Sequence, residues 1–324
     1  MIEVRDVSKR FGATAALQGV SMSVERGSVL GFLGPNGAGK STMMKIITTF
    51  LAPDEGKVTI DGQDVMEHPL EVRRKIGYMP ESVPLYPDMR MSEYLEFVGK
   101  ARGLEGSQLK SRLNWVVDAC GLATEYKKTI RDLSKGFRQR TGLGQALIHD
   151  PEILILDEPT SGLDPLQILG IRNLIHNLGE TKTVIFSTHI LQEVEPVTDR
   201  VVIINQGQVV ADGIISELKK RAMGSNRIFL SFEQVPEGLE ASLKALKGFE
   251  TLMATDSDRQ PGRFELRGSF AGDFLGGVSA MAREKGWRLR ELQESHYSLE
   301  DTFKALIERG KGKGNVRELE EVHS

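Results

Sequence analysis

One cysteine in 324 residues leaves no partner for an intramolecular disulfide and no set of thiolates for a multi-cysteine metal site. Cys120 lies in the helical run Leu113 to Gly121, where a small buried hydrophobe is expected rather than a reactive thiol. Long apolar runs are equally scarce. Ile153-Leu154-Ile155-Leu156 and Val201-Val202-Ile203-Ile204 are strand-sized, whereas a helix needs roughly 20 apolar residues to cross a bilayer. Glu3, Arg5 and Asp6 interrupt any apolar region that an export signal would place near the N-terminus. Nor is there an excess of positive charge: the formal net charge is −3, which argues against coating a polyanion and removes nucleic acid as an expected partner. These absences predict a soluble, cytoplasmic protein, and 40% hydrophobic residues over this length can build one large domain and a smaller one.

The chain does carry Gly34-Pro35-Asn36-Gly37-Ala38-Gly39-Lys40-Ser41-Thr42, in which Gly34, Gly39, Lys40 and Ser41 satisfy the phosphate-binding loop pattern. Ser28 to Leu33 reads as a buried strand before it and Thr42 to Phe50 as a helix after it. Glycines let successive backbone N–H groups converge on phosphate oxygens, and the helix N-terminus adds its positive dipole end. Lys40 can reach the β/γ-phosphates and the Ser41 hydroxyl can ligate Mg²⁺, with Asn36, Gly37 and Thr42 completing the loop. The stretch is a nucleotide site.

Up to about residue 84, short β-rich runs alternate with turn signals: Ile2 to Val7, Gly19 to Val24, Val29 to Leu33, and Lys57 to Ile60 before Asp61-Gly62. From Ser92 the spacing becomes helical, with Ser92 a candidate N-cap and Tyr94, Leu95, Val98 and Ala101 forming one face, so about 85–148 reads as a helical insertion. Unbroken aliphatic strands then return at Ile153 to Leu156, Val184 to Ser187 and Arg200 to Ile204, as a parallel sheet covered on both faces requires. Past Gly224 the order is strand Arg227 to Phe232, helix Gly238 to Lys247, strands Phe249 to Ala254 and Arg263 to Arg267, helix Phe270 to Lys285, strand Trp287 to Glu294 and helix Leu299 to Ile307. This β-α-β-β-α-β series suggests a ferredoxin-like domain, a fold that suits packing, dimerisation or small-ligand regulation equally well.

The strand Ile153 to Leu156 runs into Asp157 and Glu158. Asp157 can hold Mg²⁺ through water and Glu158 can polarise the water that attacks a γ-phosphate. Between loop and strand stands Leu133-Ser134-Lys135-Gly136-Phe137, and after the strand come Ser161-Gly162-Leu163-Asp164 and Ser187-Thr188-His189.

In these motifs and their order the chain resembles the ATP-binding subunits of ABC transporters, over residues 1 to about 220. The resemblance implies an α/β fold: a phosphate-loop NTPase core with a β-rich N-terminal part and helical insertion, plus the small C-terminal α+β (ferredoxin-like) domain. It also implies an ATPase that uses ATP and Mg²⁺. Ser134 and Gly136 would start a helix facing the γ-phosphate held by a second copy in a head-to-tail homodimer, His189 would sense the γ-phosphate, and Asp164 would lie in the D-loop beside the catalytic Glu158. Phe11 stands where the family usually places a tyrosine that stacks on adenine, and an aromatic face alone contributes roughly 1–3 kcal/mol per stacked base.

Two departures from the family pattern stand out, one near the phosphates and one in the signature. Glu81 replaces the usual glutamine and adds a carboxylate near Asp157, Glu158 and the phosphates, where it would either join the Mg²⁺ site or turn toward the permease. Lys135 and Phe137 replace a glycine and a glutamine in the signature. Both, with Pro84-Leu85-Tyr86-Pro87 and Ser298-Leu299-Glu300-Asp301-Thr302-Phe303, resemble the gliding-motility and drug-resistance export branch. The expectation is a nucleotide-binding domain over 1–222, an accessory domain over 223–309 and a mobile tail over 310–324. With a transmembrane permease encoded separately, the subunit would sit peripherally on the inner face of the membrane. The alternative, a soluble ABC-type ATPase acting on ribosomes or DNA, usually carries two nucleotide domains or long coiled coils, and here there is one set of motifs and no sustained heptads.

Overall fold

A computed structural model describes residues 1–198, 200–222, 226–255, 262–268 and 274–295. The helix expected over Leu299 to Ile307, the Ser298 to Phe303 motif, the tail and the start of the helix expected from Phe270 lie outside the described residues. The chain divides into two compact units, one built on Met1–Ile215 and one on Ser216–Leu306.

In the first unit, β1 (Ile2–Phe11) and β2 (Thr14–Val24) pair antiparallel about Gly12-Ala13. Both extend beyond the expected runs because register shifts after Val4, Val7 and Lys9 absorb the breaks in alternation. β3 (Val29–Leu33) feeds α1 (Lys40–Ile47), and β4 (Glu55–Ile60) with β5 (Gln63–Asp64) completes a four-stranded sheet ordered β2-β1-β4-β5. After α2 (Pro69–Lys75) and β6 (Ile76–Met79) come α3 (Met91–Ala101), α4 (Gly106–Ala119) and α5 (Lys135–Leu147). Then follow β7 (Ile153–Asp157), α6 (Pro165–Gly179), β8 (Thr183–Thr188), α7 (Leu191–Val194), β9 (Arg200–Asn205) and β10 (Gln208–Ile214), after which α8 (Ile215–Ala222) carries the chain into the second unit. The second sheet is ordered β10-β9-β3-β8-β7-β6, parallel except for β10. Ile2, Val4 and Leu17 from the first sheet, Met43, Met44 and Ile47 from α1, and Phe32, Ile155, Ile185 and Val202 from the second form one buried core. Full burial of each such side chain contributes about 1.5–3 kcal/mol.

The helical region differs from expectation at its start. α3 begins at Met91 rather than after a Ser92 cap, because Glu93 reaches back to accept the Arg90 N–H at 3.0 Å and closes the turn two residues earlier. Its buried positions are Met91, Tyr94, Leu95 and Gly99, while Ala101 is exposed. Cys120 is buried just past α4, and desolvation pushes its thiol up to about 12, as an inert core residue requires.

The second unit holds β11 (Asn226–Phe232), α9 (Leu239–Leu243), β12 (Phe249–Ala254), β13 (Arg263–Gly268), α10 (Phe274–Glu284) and β14 (Leu289–Ser295). Its antiparallel sheet is ordered β12-β13-β11-β14, the ferredoxin-like arrangement, with Ile228, Leu230 and Leu266 packed against Leu243 and Val278.

Candidate functional site

Between β3 and α1 the backbone is forced into a tight loop. Gly39 caps α1 at φ 108°, and a Cβ there would lie 2.5 Å from the Ala16 carbonyl oxygen. A Cβ on Gly34 would lie 2.3 Å from the Ile204 carbonyl oxygen, so β2 and β9 hold the loop at both ends and only glycine fits. Asn36 and Gly37 are exposed at its crest, and Ser41 and Thr42 stand half-buried in the first turn of α1. The first-turn N–H groups of a helix lack intrahelical partners and carry the positive dipole end, which makes this an anion seat. The Lys40 ammonium is buried and donates to the Gly34 and Pro35 carbonyls at 2.7 and 3.3 Å.

The carboxylates arrive from the neighbouring strands. β7 is buried throughout and ends in Asp157, whose register partner on β8 is Ser187. Ser187 Oγ donates to Asp157 Oδ1 at 2.5 Å and accepts the Glu158 N–H at 3.0 Å. Glu158 sits at φ 48°, a left-handed conformation costing on the order of 1–3 kcal/mol for a side chain of this type. Ser187, the Gln139 amide (3.3 Å to the Glu158 carbonyl) and the Ser161 N–H (3.1 Å to the same oxygen) hold it there. This twist aims the side chain back over the phosphate loop. Glu158 Oε1 lies 3.2 Å from Lys40 Nζ in an ion pair without hydrogen-bond alignment, and Oε2 lies 2.9 Å from His189 Nδ1. Lys40, Glu158 and His189 thus form a continuous chain of polar contacts from the loop to the end of β8. The His189 side chain is 43% exposed, so it is not a core histidine.

Ser134, Gly136 and Asp164 form a second group. Ser134 Oγ accepts the Phe137 N–H at 3.3 Å and caps α5, while Asp164 accepts the Gln167 N–H at 2.9 Å and caps α6. The two helix starts are pressed together: a Cβ on buried Gly136 would lie 2.3 Å from the Gln167 side chain, and one on Gly162 would lie 2.0 Å from Lys135 Nζ. Ser134 and Asp164 are exposed, and among the described residues neither has a hydrogen bond or ion pair to the phosphate loop. Phe11, at the end of β1, is 52% exposed, so its ring is not part of the core. Glu81 is exposed two residues beyond β6, the strand beside β7.

Among the described residues no group of three or more His, Cys, Asp or Glu side chains is arranged to hold a metal ion. Asp157 and Ser41 offer one carboxylate and one hydroxyl, a donor set suited to Mg²⁺ only when nucleotide oxygens and waters supply the remainder. Ser187 stands in a sequence motif that assigns it no role, and the sequence assigns none to Gln139 or Tyr78 either. The Tyr78 hydroxyl is buried without a hydrogen bond among the described residues, and burial first, then the Asp157 charge, pushes its pKa up. A polar residue ending the otherwise apolar strand Val184-Ile185-Phe186 was the one available signal for Ser187.

Residues 17–161 match a family described as ABC transporter. The linearmycin resistance ATP-binding protein LnrL of Bacillus subtilis is 36% identical over 247 residues, covering 76% of this chain and 79% of that protein. The bacitracin transport ATP-binding protein BcrA of Enterococcus faecalis is 34% identical, covering 95% of this chain and 96% of its own length. A dimeric ATP-binding cassette in a post-hydrolysis state with bound ADP and Pi superposes with a TM-score of 0.62 at 27% identity, covering 66% of this chain and 98% of that one.

Proposed function

This chain belongs to the ABC transporter ATP-binding family, as an ATP-binding and ATP-hydrolysing subunit, and we propose that it drives a separately encoded membrane permease in export. The observation that carries the site assignment is the contact chain Lys40–Glu158–His189 laid across the phosphate loop. In this reading Gly34, Asn36, Gly37, Gly39, Lys40, Ser41 and Thr42 cradle the phosphates and Phe11 stacks on the base.

Ser41 and Asp157 would hold Mg²⁺, which when bound offsets the charge of the β- and γ-phosphates. Lys40 leaves the Gly34 and Pro35 carbonyls and the Glu158 carboxylate and turns to the phosphate oxygens. Glu158, released from Lys40, orients the attacking water, while His189 holds the γ-phosphate edge. Ser187 keeps Asp157 and the left-handed Glu158 backbone in place. We assign Glu81 to the permease-facing surface, because it is exposed whereas Asp157 and Glu158 are buried, and a third carboxylate beside a triphosphate is electrostatically costly.

Ser134, Gly136 and Asp164 serve a second copy in a head-to-tail dimer. The exposure of Ser134 and Asp164, neither of which bonds to its own phosphate loop among the described residues, supports that division. The same reading takes 1–222 as the nucleotide-binding domain, 223–309 as an accessory domain that stabilises the dimer or regulates it, and 310–324 as a tail. Among the described residues no helix is long and apolar enough to cross a membrane, so transport requires the permease, and the subunit sits at the inner membrane face through it. Tyr86 and Phe97 stand half-exposed with ring centroids 5.9 Å apart, an apolar surface for short permease helices. The resistance and transport roles in the names of LnrL and BcrA support export.

Isolation of the tagged chain from membranes in mild detergent tests the assignment. A multi-span protein is expected to co-purify and to stimulate ATP hydrolysis. Recovery with ribosomes or DNA and no multi-span protein would contradict it.

A further inference from the structure

The end of β8 carries two hydroxyls that bond in different directions. Ser187 holds Asp157 and Glu158, whereas Thr188 Oγ1 donates to Glu193 Oε2 at 2.9 Å and accepts the Ile190 N–H at 3.0 Å. Glu193 Oε2 also accepts the Thr160 hydroxyl at 2.6 Å. Thr160, Thr188 and Glu193 are all buried, so hydroxyl donors rather than water solvate this carboxylate. The arrangement clamps the backbone on both sides of His189, because Thr188 and Ile190 meet at one hydroxyl and that hydroxyl is fixed by Glu193. It also fixes the segment from Glu158 to Asp164 at Thr160, whose carbonyl accepts the Leu163 N–H at 3.2 Å. Nothing in the hydrolytic scheme above uses Glu193.

We propose that Glu193 is a positioning residue for ATP hydrolysis: by bonding Thr160 and Thr188 to one carboxylate oxygen, it holds His189 and the Ser161 to Asp164 segment in register. Any shift of the His189 segment is then shared with the segment that ends at Asp164. The inference rests on the roles assigned above to Glu158 and His189. It adds that their placement depends on a residue outside both.

Five variants of the full chain test it: E193A, E193Q, T160V, T160V combined with E193A, and E158Q, each measured for thermal midpoint, equilibrium affinity for ATP, KM and kcat. E193A should lose at least tenfold in kcat with KM and ATP affinity within twofold of wild type. E193Q should recover to within threefold, since an amide oxygen accepts the same two hydroxyl bonds. T160V, which removes one bond, should fall between, and T160V combined with E193A should be no worse than E193A alone. A merely structural residue would instead move the midpoint, KM and kcat together. A folded E193A with kcat within twofold of wild type, or with affinity lost in proportion to kcat, overturns the proposal. If E193A does not fold, wild-type kcat in T160V overturns it. An active E158Q would overturn the site assignment itself, which separates failure of that reading from failure of this one.

Discussion

Lys40 Nζ lies 3.2 Å from Glu158 Oε1, and both side chains are buried. The loop lysine is satisfied by two carbonyls and a carboxylate, which in the proposed mechanism it exchanges for phosphate oxygens. Lys40→Ala should act in two ways. Affinity for ATP should fall more than tenfold, since hydrogen bonds to charged groups contribute about 1.5–3 kcal/mol each. The nucleotide-free protein should also lose stability, because Glu158 is left as a buried charge without its cation. Adding Glu158→Gln to Lys40→Ala should restore the melting temperature without restoring binding. Calorimetry with and without ATP checks both, and unchanged ATP affinity in Lys40→Ala would rule out the phosphate-loop assignment.

Ser187→Ala should weaken the site by a different route. It removes the donor to Asp157 and the acceptor of the Glu158 N–H, and each buried group left unsatisfied costs about 1–3 kcal/mol. With Asp157 less firmly placed, the Mg²⁺ concentration needed for half-maximal hydrolysis should rise several-fold. Mg²⁺ titration of ATPase activity measures it, and an unchanged requirement would remove Ser187 from the support of Asp157.

His149 provides a pH dependence away from the site. Burial first, then the nearby Arg102 charge, lowers its pKa from 6.5 to about 4, and among the described residues its buried Nδ1 has no hydrogen-bond partner while Nε2 contacts the Ile76 carbonyl at 3.1 Å. The unfolded chain therefore binds more protons than the folded one between about pH 6.5 and 4, so stability is full above that window and falls as pH drops through it. His149→Gln, which keeps a donor for Ile76, should flatten this fall. Denaturant melts at pH 7, 6 and 5 test it, and equal pH dependence in wild type and variant would contradict the assignment.

The phosphate loop, Asp157 and Glu158 were legible in the sequence because their chemistry lies in consecutive residues, where glycine spacing and a strand ending in acids are visible directly. The ferredoxin-like order past Gly224 was legible for the same reason. Ser187 was not, since its role depends on the pairing of β7 with β8, which sets it opposite a residue 30 positions away. The start of α3 was misplaced because Ser92 has the stronger intrinsic capping preference, whereas Glu93 capped the Arg90 N–H instead. The exposure of Phe11 comes from the hairpin geometry of β1 and β2, which its sequence neighbours do not display.

Ser134 is exposed and, among the described residues, has no hydrogen bond to the phosphate loop of its own chain. Ser134→Arg should bind ATP normally yet fail to hydrolyse it, since the bulk and charge would block a partner's γ-phosphate. Mixed with Lys40→Ala in equal amounts, it should recover part of the wild-type rate through dimers that retain one intact composite site. Full activity from the mixture would contradict coupling between two sites, and normal hydrolysis by Ser134→Arg alone would contradict the composite site.

Glu158→Gln tests the central claim most directly, because it keeps the shape of the side chain and removes only the charge that orients the attacking water. Equilibrium ATP binding and steady-state hydrolysis measured on the same preparation should show affinity at or above wild type and kcat reduced by about 10²–10⁴-fold, the range expected when a positioned acid–base group is lost. Wild-type turnover in this variant would contradict the account.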